Sequence, residues 1–480
     1  MHSLQILLAA CVCMALTTSG CMVGPDFHSP HAEAPPDWKG VAEVQPAQSS
    51  VPTTGPAELT QWWKQFDDPM LTQLVEDALK VNLNVKLAVA SLRQARASQG
   101  IAAAALWPTL GISAEYQRET AAPINDVAGQ AVNFYQAGLD AAWEIDVFGG
   151  QRRNIESAKA NTRAAVEGLR DIQVSIAAEV ALDYIQLRGY QQQIVVTKNS
   201  VQAMQDTASI VRDKANPGFD CELDIANAEA NVATTEAQIP VLETSARQAI
   251  YALSVLLARP PADLLEQLAP TGEIPAVPTR IPAGLPSDLL RRRADIRQAE
   301  EQLHSATAQI GVATAALFPQ FSLTGTLGVQ SNQLSTLVSS GGRIYSGGPS
   351  VTWNIFQGGA IVSNIRLQEA LRDQSFITYQ QTVLGAFQDV ENALVAFNKE
   401  QQHYKSLKDS VAANTKAVDL SIKLYKGGLT EFLNVLVAQN ALYSAQNALT
   451  QSNSNIAADL IALYKALGGG WETIPADGAR

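Results

Sequence analysis

The sequence predicts a mainly helical chain that also carries membrane-spanning β-strands and is built from two internal repeats. Three observations predict it. The spacing of apolar residues switches from a helical to a strand period at single prolines. The switch occurs twice, in two halves that follow one another in the same order. Two stretches without proline are each long enough for a helix of ~65 residues, roughly 100 Å at ~1.5 Å per residue.

The switch is clearest in "AALFPQFSLTG", residues 315–325. Before Pro319, Leu289, Leu290, Ile296, Ala299, Leu303, Ala306, Ile310 and Ala313 recur at helical spacing. After it, Phe321, Leu323, Leu327 and Val329 alternate with Ser322, Thr324, Thr326 and Gly328. "AALWPTLGISAEY", residues 104–116, has the same grammar around Pro108, at an offset of 211. "WEIDVFGGQRRNI" from Trp143 matches "WNIFQGGAIVSNI" from Trp353, and "ELDIANAE" from Glu222 matches "FLNVLVAQ" from Phe432, both at 210.

Taken from the amino terminus, residues 1–20 read as a signal peptide, with an apolar run at 4–16 too short to span a membrane as a helix. "TTSGC" places small residues before Cys21 and resembles a bacterial lipoprotein processing site, although Thr18 stands where such sites carry Leu and only His2 precedes the run. An ordinary signal with an incidental cysteine is the alternative. Met22 after Cys21 points, by the same resemblance, to the outer membrane. Cys11 and Cys13 leave with the signal, Cys21 is acylated, and Cys221 remains single, so no disulfide is expected.

Residues 21–60 read as a lipid-anchored extended tether, with seven prolines between 22 and 60. Residues 61–258 form the first repeat. It holds a strand from Leu110 and another from Ala137 to Val147, the second with Asp140, Glu144 and Asp146 on its polar face. Proline is absent from Gly150 to Asn216, where "NPG" (Asn216, Pro217, Gly218) marks a turn before a shorter returning helix. Residues 259–286 carry seven prolines and read as an equatorial linker outside the helices.

Residues 287–470 repeat the plan, with a strand from Phe321 and one carrying Tyr345, Val351, Trp353 and Ile355. Pro349 predicts a bulge or a late start to pairing in that strand. A second long helix ends at "KGG", Lys426 to Gly428, and residues 471–480 form a tail. Each strand is near the ~10 residues needed to cross a bilayer. Four strands cannot close a membrane barrel, which needs about eight or more, so several chains must share one.

"CMVGPDF", "WWKQFDDPMLTQLV", "GLDAAWEIDVFGG", "GLPSDLLRRRADIRQAE", "IGVATAALFPQFSLTG" and "LYKALGGGW" together resemble the outer membrane factor family of the TolC and OprM type, in its lipoprotein branch. The resemblance implies a homotrimer whose 12-stranded barrel, four strands per chain, is continuous with an α-helical coiled-coil barrel reaching into the periplasm. Pro108 and Pro319 then mark the helix-to-barrel junction, and Asp140, Glu144 and Asp146 face the barrel lumen. It also implies a periplasmic adaptor and an inner-membrane pump of the proton-driven RND type. The adaptor would dock at the hairpin tips, around Asn216, Pro217, Gly218 and Leu223 and around Gly427, Gly428 and Leu429.

At the periplasmic gate the family pattern resembles Leu-x-x-x-Asp-Ala-Gln-Arg. This chain reads "LNVLVAQN": Leu433 keeps its place, Val437 replaces the Asp and Asn440 the Arg. Leu433 and Val437 are otherwise coiled-coil core.

The net charge of −12 without a basic run excludes nucleic acid as a partner. The five histidines offer no metal-binding pair at helical spacing, and "GGGW" at Gly468 lacks the Lys and Ser or Thr of a phosphate loop, so neither an enzyme nor a cofactor is expected. Asp295, Arg297 and Glu300 read as a surface ion-pair network. The expected function is a passive gated duct for small toxic molecules. The alternatives are the duct of a type I polypeptide secretion system and a coiled-coil lipoprotein without a pore.

Overall fold

The computed structural model describes residues 22–42, 50–53, 59–120, 131–214, 219–282, 284 and 286–471. Cys21 and the tip residues Asn216, Pro217 and Gly218 lie outside the described residues. The first half runs α1 (Lys39–Ala42), β1 (Val51–Thr53), a 3-10 turn (Trp62–Phe66), α2 (Pro69–Val81), α3 (Leu83–Ala104), β2 (Thr109–Thr120), β3 (Ala131–Ile145), α4 (Gly150–Lys214), α5 (Phe219–Glu236) and α6 (Gln238–Leu256). Then come α7 (Leu265–Leu268), β4 (Arg280–Pro282), α8 (Pro286–Arg292), α9 (Ala294–Ala315), β5 (Gln320–Ser331), β6 (Arg343–Thr352), α10 (Ala360–Lys426) and α11 (Phe432–Ala466). The long helices α4 and α10 have 65 and 67 residues, the length expected from the missing prolines. No described helix is long and apolar enough to cross a membrane.

The chain divides into two compact units. The first comprises Met1–His31, Ser91–Ala165 and Gln298–Gln380 and holds an antiparallel sheet of order β2-β3-β5-β6. Its register puts Ile112 opposite Leu139 and Leu139 opposite Leu327, so one face is apolar. The other carries Asp140 opposite Gly111 and Thr326. Three expectations are corrected here. The fourth strand ends at Thr352, which leaves Trp353 and Ile355 beyond it. The second strand spans Ala131–Ile145 rather than Ala137–Val147, which leaves Asp146 beyond its end. Pro349 causes no bulge: it pairs with Leu323 inside an unbroken register from Arg343 to Thr352. β6 is an edge strand of this sheet, where a missing N–H can face away from the ladder.

The second unit comprises Ala32–Ala90, Val166–Arg297 and Gln381–Arg480. Its core gathers Trp62, Trp63, Phe66, Leu71 and Leu74, with Trp62 stacked on Tyr464 at 5.3 Å. Asp68 starts α2 by accepting from the Leu71 amide at 2.9 Å and also receives the Tyr184 hydroxyl at 2.8 Å. The Pro-rich linker is tied to α4, where Arg188, Gln191 and Gln192 donate to the carbonyls of Pro270, Leu268 and Gly272 at 2.7–2.9 Å.

The tether is less extended than its composition suggests. Trp38 is buried, both the Lys39 and Gly40 amides donate to the Glu391 carboxylate at 2.8 Å, and β1 pairs in parallel with β4. Two helices expected to be continuous are broken. The stripe from Leu289 to Ala313 divides at Arg293, where Asp295 accepts from the Ile296 amide and from the Arg293 guanidinium. The first returning helix divides into α5 and α6 just before Pro240, which has no N–H to continue the ladder.

Candidate functional site

Three groups of residues are candidates for function, and each is built locally. The first is the helix-to-strand junction. α3 and α9 end in identical turns: the Ala105, Leu106 and Trp107 amides donate to Ala102, Ala103 and Ala104, and Ala316, Leu317 and Phe318 do the same to Ala313, Thr314 and Ala315. Pro108 and Pro319 follow, and β2 and β5 begin one residue later. The carbonyls freed at the helix ends are taken by tryptophan. Trp143 donates its indole N–H to Leu106 O at 2.9 Å, and Trp353 donates to Leu317 O at 3.0 Å. Sequence reading had these tryptophans as repeat markers and as apolar residues of the second and fourth strands; their nearly equal distance from the two prolines was the signal for this role.

The second group is the set of carboxylates associated with β3. Asp140 accepts from Ser113 Oγ at 2.5 Å and Thr326 Oγ1 at 2.9 Å, which fixes it across three strands. Glu144 is exposed on the same face, opposite Ser322. Asp146 does different work: it accepts from the Gln151 and Arg152 amides at 3.1 and 2.9 Å and from Arg152 Nε at 3.2 Å. It caps the N-terminus of α4, where a carboxylate satisfies free amides and opposes the helix dipole.

The third group lies where α10 turns into α11. α10 ends with Gly428 at φ +72°, the Gly428 amide bonded to Tyr425 O and the Leu429 amide to Leu424 O, the pattern of a glycine-terminated helix. Leu429 and Leu223 are exposed. Phe432 and Val435 are buried with Ala208, Val211 and Ala228. Leu433 and Val437, at i and i+4, are 57% and 61% exposed, and Asn440 is exposed one turn further on. The core positions within this chain are therefore Phe432, Val435 and Gln439, the last bonded to Thr207 at 2.7 Å.

Lys214 adds a tie that periodicity does not reveal. Its ammonium donates to Tyr425 O and sits 4.8 Å from the Tyr425 ring centre. The charged cluster of the sequence is dispersed: Asp295 pairs with Arg293 at 2.6 Å, Arg297 with Glu167 at 2.8 Å, and Glu300 accepts from Ser29. Among the described residues no group of three or more His, Cys, Asp or Glu is arranged to hold a metal.

A sequence profile described as outer membrane efflux protein matches residues 74–259 and 285–469, once in each repeat. The solvent efflux pump outer membrane protein SrpC of Pseudomonas putida is 32% identical over 468 residues, covering 95% of this chain and 97% of SrpC. The solved outer-membrane channel OprN superposes with a TM-score of 0.88 at 35% identity, covering 94% of this chain and 100% of that one. The open state of the Neisseria gonorrhoeae MtrE outer membrane channel superposes at 0.80 with 30% identity, covering 94% and 99%.

Proposed function

The chain belongs to the outer membrane efflux protein family, and on that premise we propose that it is the outer membrane duct of a tripartite pump expelling small toxic molecules. As a family member it is an efflux channel of the outer membrane that extends into the periplasm, not an enzyme. The finer reading has the chain as one third of a homotrimer, anchored by lipid on Cys21, in which three four-stranded sheets share one 12-stranded barrel. The observation that carries it is the isolated sheet β2-β3-β5-β6: its apolar face is exposed, and four strands are too few to close.

In this reading Asp140 and Glu144 line the lumen, where rings of carboxylates favour cations. Asp146, engaged in capping α4, does not join them. An adaptor docks at the tips carrying Leu223 and Gly427 to Leu429, where exposed leucines offer anchors for a helix in a groove. Leu433 and Val437 converge on the trimer axis as a dry constriction, which blocks ions by excluding water. A proton-driven inner-membrane pump supplies the energy, and names such as "solvent efflux pump outer membrane protein" among the relatives support small apolar cargo over polypeptide.

Reconstitution into planar bilayers tests the duct. Purified trimers are expected to give discrete cation-selective channels, and deletion of the gene is expected to sensitise cells to solvents or antibiotics. Peptide secretion lost with drug resistance unchanged would favour the type I export reading instead.

A further inference from the structure

The first described residues of the chain are held against the start of α4 by one arginine. Arg153 is 2% exposed. Its Nε donates to Val23 O at 3.1 Å, its Nη2 to Gly24 O at 3.4 Å and to Asp26 Oδ1 at 2.7 Å, and its Nη1 to Glu156 Oε2 at 2.8 Å. A lysine offers one ammonium where this site uses the whole guanidinium fork.

The surrounding backbone is shaped for the same segment. The Val23 amide donates to Phe148 O at 3.1 Å. Gly149 has φ +79°, and a Cβ there would lie 2.8 Å from Met22 Cγ. Gly24 and Gly311 meet backbone to backbone, since a Cβ on Gly24 would fall 2.4 Å from Gly311 Cα. Further along, Phe27 stacks on His304 at 4.2 Å between ring centres. A flexible tether has no need of a buried arginine and two matched glycines.

We infer that Arg153 is the positioning residue of the membrane anchor: by clamping Val23, Gly24 and Asp26 it holds the segment beginning at Met22 against the Phe148–Gly149 turn between β3 and α4. This rests on the reading of Cys21 as the acylated residue. Cys21 is joined to Met22 by one peptide step, ~3.8 Å, so holding Met22 in place limits where an acyl chain on Cys21 can enter the bilayer. The Arg153 guanidinium holds the Asp26 carboxyl below the usual carboxylate range by hydrogen bond and charge.

Hydrogen–deuterium exchange of full-length trimers labelled with palmitate and held in lipid nanodiscs tests it. The Val23 amide, bonded to Phe148 O, is expected to exchange slowly in the wild type and at least about tenfold faster in Arg153→Met. Because that variant also leaves Glu156 without its guanidinium, Asp26→Asn is the second arm. Its side chain is 78% exposed, so the melting midpoint should not move while exchange at the Val23 amide rises, and Asp26→Glu should restore protection. Free exchange of the Val23 amide in labelled wild type, or its unchanged protection in both variants, would overturn the clamp and leave the efflux reading intact. Wild-type protein without palmitate would overturn the acylated Cys21 itself, and with it the anchor that Arg153 is assigned to position.

Discussion

In the first repeat the chain returns from its long helix through α5 and α6, interrupted just before Pro240, whereas the second returns through α11, an unbroken helix of 35 residues. Thr450 occupies the position in α11 that matches Pro240, keeps its amide for the ladder and bonds its hydroxyl to Gln446 O at 3.0 Å. The starts differ as well. Leu223 and Asn227 in the first repeat correspond to Leu433 and Val437 in the second, so only the second presents two exposed apolar residues on one helical face. Duplication repeats the frame, and unequal substitution within it separates a supporting hairpin from one able to carry a gate.

The largest effect is expected at that difference. Leu433→Ala with Val437→Ala should raise single-trimer conductance several-fold and admit larger antibiotics, because smaller side chains let water fill the constriction. Leu223→Ala with Asn227→Ala should leave conductance unchanged. Equal changes from the two pairs in bilayer recordings would erase the contrast. With no carboxylate in the ring, wild-type conductance should also resist divalent cations added on the periplasmic side.

Next in size is a dependence of stability on pH shared by both repeats. Asp183 on α4 and Asp459 on α11 are each pushed up to about 6, by burial and then by Glu179 and Glu400 respectively. Their folded values lie above the ordinary 3.8, so the native state binds more protons between pH 3.8 and about 6. Stability contributed by the protonated forms is lost as pH rises through about 6. The melting midpoint of detergent-solubilised trimers should therefore rise on going from about pH 7 to 5, and Asp183→Asn or Asp459→Asn should each reduce the rise. A midpoint that falls over that range in the wild type would contradict the assignment.

A smaller effect is expected at the junctions. Trp143→Phe and Trp353→Phe each remove one hydrogen bond to a helix-end carbonyl, worth about 1 kcal/mol where water is kept away. Trp353 is the more exposed of the two, so its loss should be nearer ~0.5 kcal/mol. Denaturant unfolding of the trimers compares them, and a larger loss at Trp353 would show that the repeats differ here in another way.

The smallest effect is expected from Pro240→Ala. Supplying the missing amide should slow hydrogen exchange over residues 236–241 and leave conductance unchanged. A change in conductance would mean that the break itself takes part in gating.

The linear pattern settled the elements and their order. A period of 3.6 or 2 is written in neighbouring residues, and proline acts on its own φ and its own amide, so the long helices, the strands after Pro108 and Pro319 and the duplication were legible without coordinates. Tertiary structure decided which apolar residues stay uncovered, since Leu433 and Val435 belong to the same pattern and only contacts with Ala208, Val211 and Ala228 choose between them. It also turned Asp146 from a strand carboxylate into a helix cap, admitted Pro349 to an edge strand, and bound the supposed tether through Arg153, about 130 residues away in sequence. Each of these depends on groups brought together from distant parts of the chain, and neither spacing nor composition encodes that proximity.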